Sequence, residues 1–179
     1  RTRRTAIDIT ERLQYRYAIG FVDLVGFTTL SSGMDAHELS QFMGRFEAEA
    51  HDVATGAGAR VVKLIGDEVM FVATDPSAAC RAATGLMAAF PGGYEGVVPR
   101  GGLAYGNAVL RSGDYYGSVV NLASRLVDHA VPLELLVTEE FAASATACDF
   151  EPAGRRMVKG FAEPVSVRSM RADQSPERL

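Results

Sequence analysis

The run Tyr17-Ala18-Ile19-Gly20-Phe21-Val22-Asp23-Leu24 constrains the fold of this chain more than any other stretch. It is apolar at odd and even positions alike, the pattern of a strand covered on both faces, so helices must lie over the sheet. Asp23 interrupts it. A carboxylate at such a strand end is costly unless it is paired or binds a metal. The same situation recurs at Asp67, which follows Val61-Val62-Lys63-Leu64-Ile65-Gly66 and precedes Val69-Met70-Phe71-Val72-Ala73. Two acidic groups, each near a glycine at the end of a strand-like segment, point to a divalent cation.

The neighbouring patterns say how these strands connect. Val25-Gly26-Phe27-Thr28-Thr29 reads as a turn, and Ser31, Ser32 or Asp35 caps the helix that follows. From Ala36 to about Ala54, Leu39, Phe42, Met43, Phe46 and Ala50 recur at helical spacing. Arg60–Ile65 and Val69–Ala73 flank the turn Gly66-Asp67-Glu68 as a hairpin. Pro76 opens a second helix through Ala78–Phe90. Arg100–Tyr105 and Ala108–Leu110 are strand-like around a bend at Gly106-Asn107. A helix over Ser118–His129, a strand over Leu133–Thr138, a short helix over Glu139–Ser144 and an antiparallel pair within 150–170 complete the chain. The expected fold is α+β: a ferredoxin-like, palm-like βαββαβ core, an antiparallel sheet covered by helices, with an α/β C-terminal extension. A right-handed crossover puts the first two strands parallel with the third between them. Asp23 and Asp67 then share one edge, about two strand spacings apart.

Size and composition limit the function classes. At 179 residues, 47% hydrophobic and 22% charged, the sequence suits one folded unit over 17–170. Residues 1–16 read as a linker or the end of an upstream module, and 171–179 as a tail. A net charge of −4 disfavours a general nucleic-acid binder. No apolar stretch approaches a membrane span, and the N-terminus has no signal-peptide core. Cys80 and Cys148 lack metal-ligand spacing and are expected to be reduced thiols of a cytoplasmic protein. His37, His51 and His129 fall on helices and are assigned to surfaces.

Two carboxylates with backbone oxygen, and no histidine or cysteine close in sequence, make a hard-oxygen site suited to Mg²⁺ or Mn²⁺ completed by substrate phosphates. Alternatively, Asp23 caps a turn and Asp67 sits solvated in a hairpin. The loop Val25-Gly26-Phe27-Thr28 opens a helix whose N–H groups can hold phosphate oxygens. Lys63, mid-strand, needs a polar partner or else guards a sheet edge. Asn121 and Arg125, four apart, share a helix face that suits a sugar and a phosphate, or is simply solvated.

Three separated motifs carry a resemblance: Phe21-Val22-Asp23-Leu24-Val25-Gly26-Phe27-Thr28, Lys63-Leu64-Ile65-Gly66-Asp67 and Asp114-Tyr115-Tyr116-Gly117-Ser118-Val119-Val120-Asn121-Leu122-Ala123-Ser124-Arg125. In order and spacing they resemble the class III nucleotidyl cyclase catalytic domain over roughly residues 17–170, with a compact dimerisation arm between Gly106 and Asp114 as in bacterial subclass c. The resemblance implies an adenylate cyclase that converts ATP to 3′,5′-cyclic AMP and pyrophosphate with two Mg²⁺ or Mn²⁺ per site. By position, Asp23, Asp67 and the Leu24 carbonyl match the metal ligands. Lys63 and Asp114 match the adenine readers, and Asn121 and Arg125 the catalytic pair at the ribose and α-phosphate. Arg100 and Lys159 match residues that grip the triphosphate, beside Phe27 and Thr28 of the phosphate loop. It also implies a homodimer with sites composed of both subunits, and leaves room for an N-terminal regulatory module, in which case the domain lies at the cytoplasmic side of a membrane if that module is membrane-bound. A guanylate cyclase and a catalytically silent nucleotide-binding dimerisation module are the alternatives.

Overall fold

The computed structural model describes residues 14–90 and 96–171. β1 (Gln14–Val25) forms the spine of the sheet, because its apolar residues on both faces demand cover from both sides. After it come α1 (Phe27–Ser32), α2 (Ala36–Gly56), the hairpin β2 (Arg60–Ile65) and β3 (Glu68–Ala73), and α3 (Pro76–Ala89). Then follow β4 (Val98–Arg111), β5 (Asp114–Tyr116), α4 (Ser118–His129), β6 (Glu134–Thr138), α5 (Glu139–Ser144), β7 (Glu151–Arg156) and β8 (Val165–Arg171). The strand order is β2-β3-β1-β4-β6-β8-β7, with β5 paired to β4. β3 lies between β2 and β1 and runs antiparallel to both, as the βαββαβ order requires.

The alternation of β1 sorts the core into two layers. Ala18, Val22 and Leu24 face α2 and α3, where Phe42, Phe46, Ala50 and the small residues of α3 are buried. Ile19 and Phe21 face the other way, onto Val119, Ala123 and Val127 of α4. Asp23 continues that second row, so its carboxylate emerges on the α4 side. The helix can approach this closely because of Gly102: a Cβ there would lie 2.5 Å from the Ala123 carbonyl and 2.8 Å from the Val127 nitrogen. Asp35 caps α2 with a complete capping box, accepting from His37 and Glu38 while Glu38 accepts from the Asp35 N–H.

Several expectations need correction. The turn expected at 25–29 continues into a short helix, α1, entered through Gly26 at φ 91°. A side chain at Gly26 would place its Cβ 2.1 Å from the Gly96 carbonyl. There is no bend at Gly106-Asn107: β4 pairs without interruption with β1 from Val98 to Val109. The arm instead reverses at Ser112-Gly113, both at positive φ, which suits a two-residue hairpin. Cys80 and Cys148 are not reduced thiols; they are joined in a disulfide between α3 and the segment after α5. Of the expected linker, residues 1–13 lie outside the described residues, and Gln14, Tyr15 and Arg16 belong to β1. The expected tail lies outside them too, apart from Arg171 at the end of β8. Among the described residues no helix is long and apolar enough to cross a membrane.

Candidate functional site

Register assembles a row of charge on the α4 face. Glu68 of β3 pairs with Asp23 of β1, and Asp23 pairs in turn with Arg100 of β4. Residues directly opposite on adjacent strands share a face, so the three side chains lie side by side. Arg100 forks onto Asp23, Nε donating to Oδ1 at 2.9 Å and Nη2 to Oδ2 at 3.2 Å. Its Nη1 donates to the Ala130 carbonyl at 3.3 Å, at the C-terminal end of α4, where the helix dipole favours a cation. Those bonds to Asp23 hold Arg100 firmly protonated.

Asp67 sits in the β2–β3 turn beside this row. Burial pushes its carboxyl above the usual carboxylate range; its own N–H pulls it back, the Asp23 charge raises it again, and the Leu24 N–H lowers it. Asp23 and Asp67 therefore meet at one sheet edge, next to each other rather than two strands apart, because the turn belongs to β3 as much as to β2. The sequence reading missed Glu68 and Asp128. Glu68 is pushed up to about 7 by burial first, then by the charges of Asp23, Asp128 and Asp67. One guanidinium among four carboxyls leaves excess negative charge. The only available signal was Glu68's place in the turn; Asp128 is close only through tertiary packing.

In chemical type, though not yet in arrangement, these donors suit a divalent cation. The carboxylates are hard oxygen ligands, and the upward shifts at Asp67 and Glu68 come first from burial, with the neighbouring carboxylates adding to them. Among the described residues no group of three or more histidine, cysteine or acidic side chains is placed so that it could hold a metal ion. Arg100 occupies Asp23 in this state.

A second cluster lies on the same face. Lys63 Nζ donates to Asp114 Oδ2 at 2.6 Å, joining β2 to β5 across the strands between them. Asp114 is held below the usual carboxylate range, chiefly by that bond, with help from the Tyr115 N–H. Asn121 and Arg125 lie exposed on one side of α4. Lys159 is exposed in the turn between β7 and β8. Thr28 is exposed at the start of α1, whereas Phe27 packs on Phe42 with ring centroids 5.2 Å apart. Leu24 is buried, its side chain in the α2–α3 layer. The structure thus brings Asp23, Asp67 and Arg100 together, and separately Lys63 and Asp114. It leaves Asn121, Arg125, Lys159 and Thr28 presented to solvent. His37 and His51 are exposed on α2, and His129 is partly buried at the end of α4.

No family model matches the chain. Among curated proteins, an adenylate cyclase of Streptomyces coelicolor is 39% identical over 137 residues, covering 75% of this chain and 35% of that protein. The chain spans about a third of the length of the curated relatives it matches. Among solved structures, the adenylyl cyclase CyaB from P. aeruginosa superposes with a TM-score of 0.79 at 24% identity, covering 87% of this chain and 93% of that one. The guanylate cyclase domain of RhGC from Catenaria anguillulae, solved with GTP, superposes with a TM-score of 0.78 at 19% identity over 87% of this chain and 96% of that one. At those identities the two structures speak for the fold.

Proposed function

The chain belongs with the class III nucleotidyl cyclase catalytic domains, and we propose that it is an adenylate cyclase, making 3′,5′-cyclic AMP and pyrophosphate from ATP at composite sites in a homodimer. The observation that carries this reading is the convergence of Asp23 and Asp67 on one sheet edge, on the face that also carries the Lys63–Asp114 pair. The curated relative named adenylate cyclase supports the same choice of nucleotide.

Asp23, Asp67 and the Leu24 carbonyl would hold Mg²⁺ or Mn²⁺, two per site. Bound there, the ions supply a lowered pKa for the ribose 3′-hydroxyl and positive charge at the attacking and leaving oxygens. Every other role falls to groups of the protein. Lys63 donates to adenine N1 and Asp114 accepts from the exocyclic amine; guanine offers the opposite pattern at both positions. Asn121 orients the ribose. Arg125 donates to the α-phosphate as charge builds during in-line attack, a placement worth roughly 2.7–4 kcal/mol where such donors have been removed elsewhere. Lys159 meets the outer phosphates, and the Thr28 N–H borders them at the start of α1. Arg100 reaches the triphosphate only by leaving Asp23, so its resting role is that of counter-ion. The exposure of Asn121 and Arg125 supports a site completed by a second copy, with one subunit's metal edge facing the other's base reader. We place the domain in the cytoplasm, where ATP is available, with any regulatory module elsewhere in the full-length protein.

The test is an assay of purified protein with ATP and with GTP separately, at millimolar Mn²⁺, separating the cyclic products by chromatography. Cyclic AMP as the main product is the expected result. Cyclic GMP as the main product would select the guanylate reading, and neither product from a folded dimer would select the silent module.

A further inference from the structure

Lys63 and Asp114 are surface groups on different strands, and a single exposed ion pair does not hold two flexible side chains in one geometry. Something else must fix their spacing. Register identifies it. Alternation along β2 should put Arg60 and Lys63, three residues apart, on opposite faces. The ladder to β3 slips between Val61 and Lys63, so Arg60 pairs with Val72 and Lys63 with Met70. Val72 and Met70 both lie in the α4 layer. The bulge at Val62 therefore turns Arg60 and Lys63 to the same side, which is what such an irregularity does to a strand.

There each meets one of two consecutive residues of β5. Arg60 Nη2 donates to the Tyr115 hydroxyl at 2.7 Å, with its guanidinium carbon 5.7 Å from the ring centroid. Tyr115 is anchored: it is 6% exposed, and its ring meets Tyr17 edge-on at a centroid distance of 4.9 Å. Its N–H donates to Asp114 Oδ1 at 2.8 Å, which leaves Oδ2 for Lys63. One buried aromatic residue thus ties β2 to the arm through its hydroxyl and orients the neighbouring carboxylate through its backbone.

We propose that Arg60 and Tyr115 are positioning residues for base selection, clasping the β4–β5 arm to the bulged strand so that Lys63 and Asp114 present a fixed donor–acceptor pair to the purine. This rests on the adenine-reading role proposed above for Lys63 and Asp114. Neither clasp residue touches the base; both act through Asp114.

The test compares Tyr115→Phe, Arg60→Met, the double variant and Asp114→Asn in the full chain. Tyr115→Phe keeps the buried ring and removes only the hydroxyl; Arg60→Met breaks the same bond from the other side, so the result does not hang on one variant folding. KM and kcat for ATP and for GTP are measured, with ATP displacement of a fluorescent nucleotide as a readout independent of turnover. Each single clasp variant is expected to raise KM for ATP about tenfold, roughly what one hydrogen bond to a charged group is worth, with a smaller effect on kcat. The ATP-over-GTP preference narrows by a similar factor, and the double variant is no worse than either single one. A preference that stays at the wild-type value in both clasp variants, while Asp114→Asn collapses it, overturns the clasp and spares the base-reading role. A preference unmoved by Asp114→Asn overturns the base-reading role itself. Additive losses in the double variant, equal for ATP and GTP, would reduce the clasp to general stability and also overturn the proposal.

Discussion

Replacing Arg100 with methionine tests whether the row Glu68–Asp23–Arg100 is held together by charge. The fork closes at 2.9 and 3.2 Å. With charge centres about 4 Å apart and an effective dielectric near 20, the attraction is about 4 kcal/mol before desolvation is subtracted. The side chains are 24% and 21% exposed. The pair therefore lies between exposed bridges, worth about 0.2–1 kcal/mol, and buried ones whose breakage costs about 3–5 kcal/mol. Losing the guanidinium also leaves Asp23 facing Asp67 and Glu68 and strips a cation from the end of α4. Arg100→Met should destabilise the metal-free protein by about 2–3 kcal/mol, and Asp23→Asn by about 1 kcal/mol. The double variant should fall short of their sum by about 1.5–2 kcal/mol. Urea unfolding followed by circular dichroism, in EDTA at neutral pH and fixed protein concentration, reads all three. Additivity to within about 0.5 kcal/mol would refute the reasoning, because independent sites add to that precision.

Three further outcomes follow from the same geometry. Glu68 has its pKa raised from 4.5 to about 7 in the folded state, so its stabilising contribution is complete below the unfolded value and is lost as pH rises through that window. In EDTA, the stability of Glu68→Gln relative to wild type should rise by on the order of 1–2 kcal/mol between those limits, a partly exposed group giving less than the full linkage value; a flat difference across the pH series would show that neither burial nor the neighbouring carboxylates raise the Glu68 pKa. Chains carrying Asp23→Ala and Asn121→Ala, each inactive alone, should regain about a quarter of wild-type activity when mixed, since half the dimers are then heterodimers with one intact site of two; a dead mixture with heterodimers demonstrated would refute shared sites. Reducing the disulfide, which closes a loop across a sequence separation of 68, should cost up to about 4 kcal/mol by loop entropy, read as a lower Tm in dithiothreitol that the Cys80→Ala, Cys148→Ser double variant reproduces without reductant.

The βαββαβ core was legible because its signals are local. The unbroken apolar run of β1, the spacing of Phe42, Phe46 and Ala50, and Pro76 at the start of α3 each specify an element without reference to the rest. What escaped was set by tertiary pairing. The twelve-residue register between β1 and β4 holds Gly106-Asn107 extended where glycine and asparagine alone suggest a bend. The cysteine pairing is invisible because α3 and the segment after α5 meet only once the sheet forms. In the site, Asp23, Asp67 and Lys63 declared themselves as charges inside apolar runs. Arg60 and Tyr115 did not, since the bulge that brings them together carries no glycine or proline to mark it. The place of Arg100 opposite Asp23 was equally hidden, because it follows only from the register between β1 and β4.

Flanked on both sides, β1 leaves no room for drift along its length. Inserting or deleting one residue between Ala18 and Val22 would invert every position downstream and turn Asp23 toward α2 and α3. Loops elsewhere can lengthen over evolutionary time with little consequence. Here the count of residues is as constrained as their identity, and related chains should hold this segment free of gaps even where its apolar members interchange.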